Sequence, residues 1–112
     1  MSMRILLDTH LLRRKIDAAE AYASAASIWE ISIKSTLGKL DANPREVLDA
    51  IEPAGFSLLA VSGEHAARVA ELPFLHKDPF DRILVAQALV EPMILLTNDG
   101  ALQGYGSFVN LS

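Results

Sequence analysis

The sequence predicts an α/β fold with a mostly parallel central sheet. Three observations carry that expectation. Short aliphatic runs of strand length recur, at Ile5-Leu6-Leu7, Met93 to Leu96 and Phe108 to Leu111. Amphipathic stretches with capping residues at their starts and Gly or Pro at their ends read as helices. Strands that alternate with helices give a parallel sheet, because each helix returns the chain to the start of the next strand. With 112 residues the chain fits one domain, residues 1–112.

Taken in order, Arg4 to Thr9 is expected as a buried strand with Asp8 at its carboxyl end. Ala21 to Ala25 is a candidate second strand. Ser27 to Leu37 is expected to be helical, since Trp29, Ile33 and Leu37 recur at four-residue spacing and Gly38 supplies a stop. That stripe places Trp29 in the core rather than on a surface where bases stack. Asn43-Pro44 starts a helix that carries Val47, Leu48 and Ile51 and stops at Pro53 and Gly55. Phe56 to Val61 reads as a strand, and Ser62 caps a short helix running to about Leu72. Asp78-Pro79-Phe80-Asp81 opens a helix with Ile83, Leu84, Ala86, Leu89 and Val90 as its apolar positions, closed by Pro92. Met93 to Thr97 is a strand leading into Asn98-Asp99, and a turn around Ala101-Leu102 precedes a last strand at Phe108 to Leu111.

Net charge is −4 and the pI is near 5.2, which argues against a protein that coats nucleic acid through a basic face. It does not argue against an enzyme acting on RNA, since carboxylates that bind divalent cations make the bare chain look acidic. The absence of cysteine excludes disulfides and thiolate metal sites. The opening Met1 to Asp8 is too short an apolar run for a signal peptide, and no stretch is long enough for a membrane span. A cytoplasmic protein is therefore expected.

Two strands end alike, Ile5-Leu6-Leu7-Asp8-Thr9 and Ile94-Leu95-Leu96-Thr97-Asn98-Asp99. Ligands of open parallel sheets sit beyond the carboxyl ends of the strands, so Asp8 and Asp99 are expected to converge on one crevice. Glu30 and Asp81 fall in the first turns of their helices and reach the same side. These acids form a candidate site for a hard cation, Mg²⁺ or Mn²⁺, of the kind that supports phosphoryl transfer. Structural readings stand beside that one. Ser27-Ile28-Trp29-Glu30 has the form of a capping box. Asp78-Pro79-Phe80-Asp81 has an N-cap, a first-turn proline and an acid favoured by the helix dipole. Asp8 and Asp99 also fit as polar residues that mark strand ends. His10 and His76 are weaker candidates as bases, because a metal can generate the nucleophile without them.

The blocks Arg4 to Leu12, Ser24 to Lys34 with Leu37 to Leu40, His76 to Ala88, and Leu95 to Asp99 occur in an order that resembles the PIN domains, and in particular the VapC-type toxins. The resemblance implies a three-layer PIN fold and divalent-metal-dependent endoribonuclease activity. It also implies a toxin role in a bacterial toxin–antitoxin pair, with RNA as substrate, an antitoxin protein as partner and a homodimer as the assembly. It places the acidic quartet on Asp8, Glu30, Asp81 and Asp99, with Thr97 supporting the last acid and Asp78 acting as a cap. One departure is a shortened first crossover, since Leu12 to Ala21 leaves fewer residues than the usual dozen. That departure favours an alternative, a catalytically impaired PIN-like module that binds a partner protein. A receiver or haloacid-dehalogenase phosphotransfer domain fits less well. Asp8-Thr9-His10 lacks the second Asp of the latter, and no Lys closely follows Asp99.

Overall fold

The computed structural model describes residues 3–12 and 20–112. Its strands are β1 (Arg4–Leu7), β2 (Glu20–Ser24), β3 (Ser57–Leu59), β4 (Ile94–Thr97) and β5 (Val109–Leu111). Its α-helices are α1 (Ala25–Thr36), α2 (Pro44–Ile51), α3 (Gly63–Val69) and α4 (Pro79–Val90), with 3-10 turns at Thr9–Leu11 and Gly100–Tyr105. The sheet order is β3-β2-β1-β4-β5, and every pairing is parallel. The short first crossover does not change the pairing, since Arg4 to Leu7 lie beside Glu20 to Ala23 in parallel register. Much of that crossover, residues 13–19, lies outside the described residues.

Alternation along the strands divides the core in two. Leu6 and Leu95 face α3 and α4 and pack with Leu84, Val85, Ala88 and Leu102. Leu7 and Ala23 face the other way and pack with Leu11, Ala21, Ile51 and Phe56. The result is the expected three layers, helices on both faces of the sheet.

The helices start where capping chemistry puts them. Asn43 accepts from the backbone N–H of Arg45, and Ser62 accepts from that of His65. The Ser62 cap is a capping box, completed by His65, whose Nδ1 accepts from the Ser62 N–H at 2.9 Å. α1 ends in a Schellman motif, with Gly38 at φ 71° and the Lys39 N–H donating to the Lys34 carbonyl at 2.9 Å.

The start of α1 differs from the expectation. Ser24, the last residue of β2, is the N-cap and accepts from the Ala26 N–H at 3.0 Å. Ser27 is already helical, and its hydroxyl receives that of Thr9 at 2.8 Å. The box from Ser27 to Glu30 therefore does not form, and Glu30 sits in the second turn rather than the first. The expected core stripe on α1 is also wrong. Trp29 is 63% and Leu37 61% exposed, while Ala26, Ser27, Glu30 and Ile31 are buried. The inward face is small and polar because it borders the acidic crevice, so the apolar stripe is the outer one.

Candidate metal centre

The strand order runs from β1 to β2 and β3 on one side and to β4 and β5 on the other. Connections diverge between β1 and β4, and that divergence opens a crevice at their carboxyl ends. Asp8 leaves β1 at this point with its backbone N–H still donating to the Leu96 carbonyl at 2.9 Å. Asp99 leaves β4 and caps the following 3-10 turn by accepting from the Ala101 N–H at 3.0 Å.

Thr97 joins the two strand ends. Its hydroxyl donates to Asp8 Oδ2 at 2.6 Å and accepts from the Asp99 N–H at 3.0 Å. Support for the last acid thus runs through the backbone, while the hydroxyl proton goes to the first acid. Asp8 is 1% exposed, and its Oδ1 is the one buried side-chain polar atom without a hydrogen-bond partner among the described residues. Such an atom ordinarily finds a donor, because leaving it unpaired costs roughly 1–3 kcal/mol.

Asp78 is the N-cap of α4, as expected, accepting from the N–H groups of Phe80 at 2.8 Å and Asp81 at 3.4 Å. With Pro79 next, Asp81 falls in the first turn and points toward Asp99. His76 stands between them. Its Nδ1 accepts from the Asp78 N–H at 3.1 Å, which leaves Nε2 to carry the proton. Nε2 lies 3.1 Å from Asp99 Oδ2 and 3.6 Å from Asp81 Oδ2. One ligand atom from each of His76, Asp81 and Asp99 lies within 4.8 Å of the others.

Glu30 is buried on the inner face of α1, where Lys34, one turn on, donates to its Oε2 at 2.6 Å. The electrostatics tie these groups together. Burial, followed by the charges of Asp78, Asp8 and Glu30, pushes Asp81 up to about 7, with His76 acting in the opposite sense. The Lys34 ammonium is held above its usual range by its hydrogen bond to Glu30 and by the charges of Glu30, Asp78 and Asp81. Asp8, Glu30, Asp81 and Asp99 therefore share one neighbourhood, although the tightest triplet includes His76 in place of Asp8 and Glu30.

Two members of this neighbourhood were not assigned a place in it from the sequence. Lys34 was legible in principle, since Glu30 and Lys34 have the four-residue spacing of a helical ion pair. From the sequence His76 stands only as a candidate base. His10 is exposed and lines a cleft of about 870 Å³ that also borders Glu30 and Lys34. Arg82 steadies the segment before His76 from behind. Its guanidinium donates to the carbonyls of Val69 and Pro73 and to the Tyr105 hydroxyl, and lies 4.9 Å from the Phe74 ring centre.

The sequence profile of the PIN domain matches residues 6–106 and so spans all four acids. The chain belongs to the PIN-domain family. Members of this family are generally nucleases that use divalent metals. Solved structures of other proteins superpose along nearly the whole chain. A chain of VapBC2 from Rickettsia felis, bound to a DNA fragment from its promoter, matches with a TM-score of 0.69 at 15% identity, covering 98% of both chains. A toxin–antitoxin complex from Klebsiella pneumoniae gives 0.67 at 18% identity, covering 95% of both. FitAcB from Neisseria gonorrhoeae gives 0.64 at 21% identity, covering 96% of this chain and 95% of the other. At these identities the likeness is one of fold. No curated protein sequence matches significantly.

Proposed function

We propose that this PIN domain is a divalent-metal-dependent endoribonuclease, the toxin of a bacterial toxin–antitoxin pair. The observation that carries the reading is the unpaired buried Oδ1 of Asp8, set in a neighbourhood of carboxylates with too few cations. The donor set fits a hard cation. It consists of carboxylate oxygens, and the nearby imidazole is committed as a donor by the Asp78 N–H. Asp8, Glu30, Asp81 and Asp99 would hold Mg²⁺ or Mn²⁺, with Thr97 fixing the first and last of them. When bound, the cation supplies electrostatic stabilisation of the phosphate and makes a nucleophile from water accessible near neutral pH.

The side chains of this chain have separable tasks in that reading. Thr97 keeps Asp8 Oδ2 occupied, so that Oδ1 is the atom left free to meet a cation. Lys34 neutralises Glu30 and offers a positive charge to an approaching phosphate. Asp81, pushed up to about 7 and so still partly protonated near neutral pH without a cation, surrenders its proton when one binds. His76 donates from Nε2 toward Asp99 and holds that carboxylate in place. The names of the toxin–antitoxin neighbours support an antitoxin as the regulatory partner, and we extend the reading to a cytoplasmic homodimer.

Purified protein free of antitoxin is expected to cut RNA in Mg²⁺ or Mn²⁺ and to stop in EDTA. Asp8→Ala should abolish cleavage with the fold retained. Glu30→Gln separates a ligand from a structural acid, and a large loss is expected. Near-normal cleavage by that variant would remove Glu30 from the site. A wild-type protein that binds metal yet cuts no RNA would instead be the catalytically impaired interaction module.

A further inference from the structure

Trp29 is the only tryptophan in the chain, and it is largely exposed. Phe80 meets it at 5.2 Å between ring centres and at 73° between ring planes. Whichever ring presents its edge, at most one face of the indole is covered in such a contact. The pair stands one residue before two of the acids, and so about 100° round each helix from them. Trp29 precedes Glu30 in α1, and Phe80 precedes Asp81 in α4. Trp29 also walls a hollow of about 520 Å³, together with Ile28, Pro44, Arg45, Leu48 and Leu58. Arg45 is the only charged residue of that wall, is exposed, and forms no ion pair among the described residues.

A flat aromatic ring, an apolar hollow and a cation at its rim complement an unstacked nucleotide. The base takes the ring and the hollow, and the phosphate takes the cation. An acidic protein that binds a polyanion needs such local cations. We propose that Trp29, supported by Phe80, is the stacking platform for one nucleobase of the RNA substrate, with Arg45 receiving an adjacent phosphate. The inference rests on the ribonuclease reading and narrows its substrate class. A base within a paired A-form helix has both faces stacked and cannot use the ring, so the platform selects unpaired segments.

Because the tryptophan is unique, its fluorescence reports on this ring alone. Wild-type protein in Ca²⁺, chosen to slow turnover, is titrated with a single-stranded RNA of about ten nucleotides. Trp29 emission is read on unlabelled RNA, and anisotropy on the same RNA carrying a terminal dye. Quenching should saturate with the affinity that anisotropy gives. An abasic RNA of equal length and charge should leave the emission unchanged. Trp29→Ala should weaken binding about tenfold, Trp29→Phe by no more than about threefold, and Arg45→Gln should weaken it and flatten its salt dependence. RNA that binds while Trp29 emission stays constant would overturn the platform and leave the ribonuclease reading intact. RNA that does not bind at all would overturn both. If Trp29→Ala turns a dimer into a monomer in sedimentation and keeps its RNA affinity, the ring belongs to a contact between copies and the proposal fails.

Discussion

Glu91 and Asp81 stand at opposite ends of α4, and their surroundings are opposite too. Glu91 is at the carboxyl end, where the helix dipole disfavours an anion. It is nonetheless well matched. The Nε2 of His65 lies 2.5 Å from its carboxylate, and Arg4 donates to its carbonyl at 2.6 Å with a second nitrogen 4.0 Å from the carboxylate. His65 is in turn fixed by the Ser62 N–H. Asp81 is in the first turn, where the dipole favours an anion, yet its carboxyl is pushed up to about 7. Burial and the neighbouring carboxylates outweigh the dipole. The comparison teaches that the neighbours of an acid, more than its place on a helix, separate a structural acid from a functional one. Glu91 has a hydrogen-bond donor and a cation, His65 and Arg4, built in, whereas the acids around Asp81 are short of cations, as in a site built to receive one.

The largest effect should come from a pair of substitutions at the two ends. Asp81→Ala is expected to lower RNA cleavage by more than about a hundredfold, the scale set by losing a group that supports a metal site. Glu91→Ala should leave cleavage nearly unchanged but strand the His65 N–H, at a stability cost of about 1–3 kcal/mol in urea denaturation. If Glu91→Ala abolished cleavage in a protein that still folded, the two ends would not be separable in this way.

A smaller effect concerns pH. Without added metal, Asp81 keeps its proton to about pH 7 in the folded chain, whereas an unfolded Asp gives it up near pH 4. The folded state therefore binds more protons between those values, and stability should fall as pH rises through that window. From pH 5 to pH 7 the loss from this group is on the order of 1–3 kcal/mol. Denaturation midpoints in EDTA should show the decline. Saturating Mn²⁺ should flatten it, because bound cations favour the ionised form.

Much of the fold was legible because its signals are local. Asn43-Pro44, Ser62 and Asp78-Pro79 mark helix starts by their own hydrogen-bonding chemistry, and each acts as read. The two strand-end aspartates were legible because a parallel sheet sends its carboxyl ends to one side. α1 was harder. A serine three residues before a glutamate has the form of a cap, but Ser24 had already closed the helix end, a choice settled by where β2 stops. The stripe of Trp29, Ile33 and Leu37 showed a helical period and not which side faced inward. That sign is set by Asp8, Thr9 and Asp81 from other elements, which require Ser27 and Glu30 on the inner face. The place of His76 depended on the loop that Arg82 holds, and no local pattern encodes that long-range contact.

The most direct test is calorimetric titration with Mn²⁺ at a pH above 7, repeated below it. The wild-type chain should bind the ion, bind it more tightly at the higher pH as Asp81 loses its proton, and release protons on binding. Asp8→Asn and Asp99→Asn should each weaken binding by about tenfold or more. Equal binding by the wild type and both variants would contradict the assignment of the cation to these acids.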